Sequence, residues 1–230
     1  LAWWGAVLGG LGIFIIGINL LGEVLKKIAG SKLKGLIDKF TSSPLKGIFV
    51  GILATVLIQS SSGTTALTIG LIRAGLMTLP QAVGIIMGDN IGTTVTSFLI
   101  GLKIANYTPF VLVIGVFFMV FGNKQKTKHI GEAMFSFRAL FFGLTLMEAG
   151  LKPLAALPQF EAFVQNLGDH PLLGMLVGAA GTAAIQSSSA FIGLLQTIYD
   201  AGYQTGATLA FAIPILFGSN IGTTITGIMA

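Results

Sequence analysis

Two stretches of the chain repeat one another. Residues 44–62 align without a gap on residues 171–189. Pro44, Leu45, Gly47, Val50, Gly51, Thr55, Ile58, Gln59, Ser60, Ser61 and Ser62 recur as Pro171, Leu172, Gly174, Val177, Gly178, Thr182, Ile185, Gln186, Ser187, Ser188 and Ser189, eleven identities in nineteen positions. With three more residues intervening in the second copy, Gly88 to Thr96 aligns on Gly218 to Thr226 with seven identities in nine. Apolar segments that match by chance exchange Leu for Ile. They do not repeat Gln-Ser-Ser-Ser and Asn-Ile-Gly-Thr-Thr in the same order. A chain built this way is expected to fold as two copies of one unit.

The medium in which it folds follows from composition. Of 230 residues, 53% are hydrophobic and 9% charged, against about a quarter charged in a soluble domain. Too few polar groups remain to cover a soluble enzyme, and disorder would need the opposite balance. With no Cys there is no disulfide framework. The 32 Gly residues fit a polytopic α-helical membrane protein. The net charge of +5 does not point to nucleic acid, because it sits between apolar runs. Six Lys fall from Lys26 to Lys46, and three more are Lys124, Lys126 and Lys128. The positive-inside rule makes both loops cytoplasmic and the N-terminus extracytoplasmic.

Residues 1–25 read as a span, long enough for a core that needs about 20 residues. Residues 26–43 read as a Lys-rich interfacial helix. The segment 44–79 has two apolar arms around a polar centre. Each arm has about 14 to 16 residues, roughly 22 Å as a helix, which suits a re-entrant hairpin. A broken span at 80–102, interrupted at Gly88 to Thr94, and a connecting span at 107–122 complete a first repeat over 1–122. The second repeat, 123–230, restarts with a span at 130–151. A polar connection at 152–170, a hairpin at 171–200 and a broken span at 203–230 follow. Three crossings separate equivalent points, so the second copy is expected to be inverted. Inverted repeats with interrupted helices point to a secondary transporter.

Each Gln-Ser-Ser-Ser turn would end one half-helix and begin another, directing backbone N–H groups and a positive dipole end toward an anion. Ser and Thr hydroxyls can donate to an anion or accept around a cation. Carbonyls freed at the two Asn-Ile-Gly-Thr-Thr breaks would suit Na+. Asp89, where the second copy has Ser219, is a carboxylate expected at membrane depth and thus a functional candidate. It reads as a Na+ ligand or as the partner of a buried cation. Arg138, inside the 130–151 span, would pair with Asp89, Glu148 or an anion, or serve as a structural ion pair.

The two Gln-Ser-Ser-Ser hairpins, with Gly-Asp-Asn-Ile-Gly-Thr-Thr and Gly-Ser-Asn-Ile-Gly-Thr-Thr, resemble the sodium/phosphate cotransporter family, the type II group with its bacterial relatives. The resemblance spans both repeats. It implies Na+-coupled transport of inorganic phosphate by alternating access, at a midplane site between the two hairpins and the two broken helices. From the residues themselves, phosphate binding is expected at Ser60, Ser61, Ser62, Gly63, Thr64, Ser187, Ser188, Ser189, Asn90 and Asn220, and Na+ binding at Gln59, Gln186, Asp89, Thr93, Thr94, Ser219, Thr223 and Thr224, with Arg138 as a charge partner. The resemblance implies that the two motifs, Gln59 to Ser62 and Gln186 to Ser189, form the substrate and sodium site. It also implies a homodimer in the plasma membrane.

No enzyme is expected. A Ser nucleophile needs a base within hydrogen-bond reach, and His129 and His170, the two His of the chain, fall in expected loops on opposite faces. The rival readings are an uncoupled anion channel and a Na+-coupled transporter of another small oxyanion.

Overall fold

A computed structural model describes residues 2–29, 43–101, 107–202 and 207–229. Among the described residues all regular structure is helical. The helices are α1 (Ala2–Ala29), α2 (Pro44–Ile58), α3 (Ser61–Arg73), α4 (Leu79–Gly101), α5 (Thr108–Phe121), α6 (Gln125–Ala155), α7 (Pro158–Asp169), α8 (Pro171–Ile185), α9 (Ser188–Gly202) and α10 (Leu209–Met229). Helices α1, α4 and α6 contain stretches long and apolar enough to cross a hydrocarbon core: Trp3–Ile28, Leu79–Gly101 and Gln125–Ala155. Helix α5, with 14 residues, is about 21 Å long, and its Phe110, Val113, Phe117, Val120 and Phe121 are exposed, as suits a lipid-facing surface.

The chain divides into two compact units. The first comprises residues 18–138 with 226–230, the second residues 1–17 with 139–225. The division passes through α1 and α6, so the units trade chain ends relative to the halves 1–122 and 123–230.

In the first unit α2 lies on α4 through a ladder of glycines. A Cβ added to Gly84, Gly88 or Gly92 would run into the backbone carbonyls of Pro44, Ile48 and Ile52, three residues spaced four apart on α2. From the other side, a Cβ on Gly51 would meet the Ile85 carbonyl and the Asp89 amide. Lipid supplies no hydrophobic drive for helices to associate, so the gain comes from van der Waals contact between backbones, which small residues permit. The second unit repeats the ladder in the same register. Gly218 meets Met175, Gly222 meets Ala179, and Gly178 meets the Ile215 carbonyl and Ser219 amide. Pro214 stands at the place of Gly84, and its ring carbon comes 3.1 Å from a Cβ built on Gly174. The duplication read from sequence is thus also a duplication of contacts.

These ladders correct the expected helix breaks. Helices α4 and α10 run unbroken through Gly88–Thr94 and Gly218–Thr224. The glycines there serve close approach, and the threonines bond back onto their own helix. Thr93 Oγ1 donates to the Asp89 carbonyl at 3.0 Å and Thr94 to Ile91 at 2.6 Å. Thr223 and Thr224 repeat this on Ser219 and Ile221 at 3.1 and 2.7 Å.

Three further expectations change. Residues 26–29 continue α1, while the rest of the expected interfacial helix, 30–42, lies outside the described residues. The connection 152–170 is helical: α6 runs to Ala155 and α7 follows. Helix α7 is amphipathic, with Val164 and Leu167 buried beside Leu195, Phe211 and Ile215, so its polar face misled the sequence reading. His129 lies within α6, against Glu132 at 3.1 Å, and not in a loop.

Replacing Gly88 by Val should be severely destabilising, since even a Cβ collides with backbone. A loss of at least 1–3 kcal/mol, the usual range for overpacking, should appear as a lower melting temperature in detergent. Gly70→Ala, where nothing lies within 4 Å, should leave it unchanged or slightly raised.

Candidate functional site

Both hairpins turn in the same two-residue geometry. Helix α2 starts with Ser43 as N-cap and Pro44 at its first position, where a missing N–H costs nothing. It ends at Gln59, whose backbone is left-handed at φ 54°. The second copy does the same at Gln186, φ 57°. The Gln59 and Gln186 amides donate back to the Thr55 and Thr182 carbonyls, both at 2.7 Å. Such helix ends ordinarily carry Gly, and a larger residue there costs roughly 1 kcal/mol or more. In the first unit the Gln59 side chain has a job that Gly lacks. Its Nε2 donates to the Val56 carbonyl at 2.8 Å, and its Oε1 accepts from Thr96 Oγ1 of α4 at 2.6 Å. Gln59 thus caps the end of α2 and ties the tip to α4. Gly22 of α1 adds a second constraint, since its Cβ would meet the Ile58 carbonyl.

The next residue begins the second arm. Ser60 is extended, and its Oγ accepts from the Gly63 amide at 3.1 Å. Ser187 Oγ accepts from the equivalent Ala190 amide at 3.2 Å. Both are helix N-caps, which satisfy a donor that the helix itself leaves over. Thr64 Oγ1 donates to the Ser60 carbonyl at 3.2 Å. The first serine of each run therefore builds the turn. Ser61 and Ser188 are buried, and Ser62 and Ser189 half-buried, on the first turns of α3 and α9.

Beneath each tip a hydrogen bond crosses the ladder. In the first unit Thr55 Oγ1 donates to Asp89 Oδ1, and Thr65 Oγ1 approaches Oδ2 at 3.4 Å. In the second unit Thr182 Oγ1 donates to Ser219 Oγ at 2.7 Å. Asp89 and Ser219 are both buried.

Several expected residues therefore come together: Gln59, Ser60 and Thr64 at the first tip, with Asp89 below. Gln186 and Ser187 hold the second tip, with Ser219 below. Thr94 and Thr224 do not join them, being exposed on the far face of their helices. Thr93 and Thr223 are buried but back-bonded. Asn90 and Asn220 are half-buried. Hydroxyls bond Asp89, and Arg138 is a half-buried residue of α6. Thr55, Thr65 and Thr96 were not singled out from the sequence. Thr55 recurs as Thr182 and Thr96 as Thr226, and that recurrence was the available signal.

An all-helical architecture among the described residues, with three helices long and apolar enough to cross a bilayer, defines a polytopic membrane protein. The chain matches the family described as Na+/Pi-cotransporter over residues 13–149 and again over 146–230, and it belongs to that family, one of transporters and not of enzymes. It is 31% identical over 217 residues to "Uncharacterized protein YqeW" of Bacillus subtilis, covering 94% of this chain and 69% of that one. It is 40% identical over 99 residues, 42% of this chain and 15% of the relative, to "Sodium-dependent phosphate transport protein 2A" of Rattus norvegicus. Over 217 residues, 94% of this chain and 39% of the relative, it is 22% identical to "Putative inorganic phosphate export protein YjbB" of Escherichia coli K12. No solved structure matches.

Ser60→Ala should cost about 1 kcal/mol of stability as a lost cap, and Ser60→Asn, which can also cap, should restore most of it. Thermal unfolding of the two variants, read side by side, checks the assignment of this serine to the turn.

Proposed function

We propose that the chain carries out Na+-coupled transport of inorganic phosphate across the plasma membrane. The observation that carries the proposal is the pair of hairpin tips. Each is built from a left-handed Gln and a capping Ser, and each begins a helix of 13 or 15 residues. A helix N-terminus favours anions through its amides and dipole. Ser61, Ser62, Ser188 and Ser189, on those first turns, are the phosphate-binding hydroxyls in this reading, with Asn90 and Asn220 close by in sequence to the residues beneath the tips. Ser60, Ser187 and Thr64, used in the turn, orient them. Family membership and the names of the relatives support the same substrate.

Coupling follows from charge. Phosphate carries up to two negative charges near neutral pH, and a low-dielectric site does not hold them unpaired. Bound Na+ neutralises the anion, so each ligand raises the affinity for the other. Gln59, Gln186, Asp89 and Ser219 supply oxygens for Na+ in this proposal. The two copies are proposed to be inverted, their hairpins re-entrant, and the two tips to serve one phosphate, exposed alternately to each face. The Lys-rich segments 26–46 and 124–128 are placed in the cytoplasm by the same charge rule.

Proteoliposomes loaded with K+ should take up radiolabelled phosphate saturably when Na+ is outside, and far more slowly when Na+ is replaced by K+. Equal uptake in both salts removes the coupling, and uptake that never saturates identifies a channel. Ser62→Ala or Ser189→Ala should weaken phosphate affinity roughly tenfold, as a lost hydrogen bond to a charged ligand does. Gln59→Ala should shift the Na+ dependence.

A further inference from the structure

We propose that the first unit alone carries a charge-neutralising Na+ site, centred on the Asp89 carboxylate with the Thr55 and Thr65 hydroxyls as co-ligands. This deepens the transport reading above and rests on it for the role of the ion. The two copies share a hydrogen bond here and differ in the residue that accepts it. Each unit makes the same cross-ladder hydrogen bond from the same threonine, Thr55 or Thr182, to the same position on the facing helix. In the second unit a serine suffices, and the helices still pack through the same glycines. The packing therefore does not require a carboxylate at Asp89, and its charge is available for another purpose.

The surroundings have diverged with it. Asp89, Thr55 and Thr64 are 2%, 3% and 2% exposed. Thr64 Oγ1 stands 3.4 Å from Thr55 Oγ1, and Thr65 reaches the second carboxylate oxygen. In the second copy Thr64 and Thr65 are replaced by Phe191 and Ile192. Phe191 packs against an apolar cluster and crowds Gly181, and Ile192 is buried. At these two aligned positions one unit thus carries hydroxyls and the other hydrocarbon. A hydroxyl can donate to the carboxylate and still offer lone pairs to a cation. An all-oxygen set is what a hard cation takes, and a single carboxylate balances one positive charge, where divalent sites recruit more. A carboxylate held this deep is costly unless its charge is met.

Equilibrium binding of radiolabelled Na+ to the purified protein, without phosphate, tests this. Asp89→Ser, which installs the second unit's residue, should bind one fewer Na+ per chain. Thr65→Ile, again the second unit's residue, should keep the site with roughly tenfold weaker affinity, as loss of a supporting ligand does. Unchanged Na+ number and affinity in Asp89→Ser overturns the proposal. So does unchanged Na+ binding accompanied by a lost pH dependence of uptake, which would assign Asp89 to a proton. If Asp89→Ser aggregates, Thr65→Ile decides, and wild-type affinity in it counts against the site. The two readings fail separately. A wild-type protein that binds Na+ through Asp89 but does not move phosphate sinks the transport function. One that transports phosphate with Na+, and keeps every Na+ in Asp89→Ser, sinks only this site.

Discussion

The contact on which each unit depends is backbone against backbone. Inside a bilayer a leucine gains nothing by leaving lipid for protein, so helices must hold one another by proximity. Gly51, Gly84 and Gly88 remove the side chains that would keep α2 from α4, and Gly178 and Gly218 do so for α8 and α10. The register of this seam fixes everything above it. Thr55 reaches Asp89, Thr96 reaches Gln59, and Thr182 reaches Ser219, because the helices are locked at one spacing and one phase.

The tips convert this rigidity into chemistry. A two-residue turn between helices leaves amide donors at the start of the second arm and carbonyl acceptors at the end of the first. Ser60 and Ser187 take up a donor, and the Gln59 side chain takes up a carbonyl. A glycine at position 59 would relieve the backbone but abandon both side-chain bonds. Keeping glutamine in a left-handed conformation, twice, is local strain of the sort that concentrates at functional sites. It fits the ligand-binding role proposed for the tips.

The duplication was legible in the sequence because polar motifs in an apolar chain are rare enough to align. The helix–turn–helix pairs were legible for the same reason, with Pro at one end and Ser runs in the middle. What failed was the reading of Gly-x-Asn-Ile-Gly-Thr-Thr as a helix break. Gly lowers helix propensity in water, but here each Gly faces a carbonyl of the neighbouring helix, and each Thr returns its hydroxyl to the chain one turn back. A single sequence cannot separate a glycine that frees the backbone from one that admits a neighbour. Helix α7 was read as a polar connection because Gln159, Glu161, Gln165, Asn166 and Asp169 interleave with the apolar residues, of which Val164 and Leu167 are buried and Phe160 packs beside them. The serines were given one role where the fold divides them, the first to the turn and the others to the helix face.

What separates the two units is charge, not architecture. Seven identities in nine link Gly88–Thr96 with Gly218–Thr226, and the position that differs most in chemistry is Asp89 against Ser219. Most residues that hold the seam, Gly51, Gly88 and Gly92 with their counterparts Gly178, Gly218 and Gly222, cannot gain a side chain without a collision. Residues beneath the tip can change so long as the cross-ladder hydrogen bond survives, and both Asp and Ser accept it. Duplication therefore leaves a packing frame that is largely kept in both copies and a buried polar position that is free to diverge in either. Under the proposed Na+-coupled transport, a fixed negative charge in one copy only gives a cation an anchor in the absence of phosphate, where a second buried carboxylate would add repulsion toward the anion.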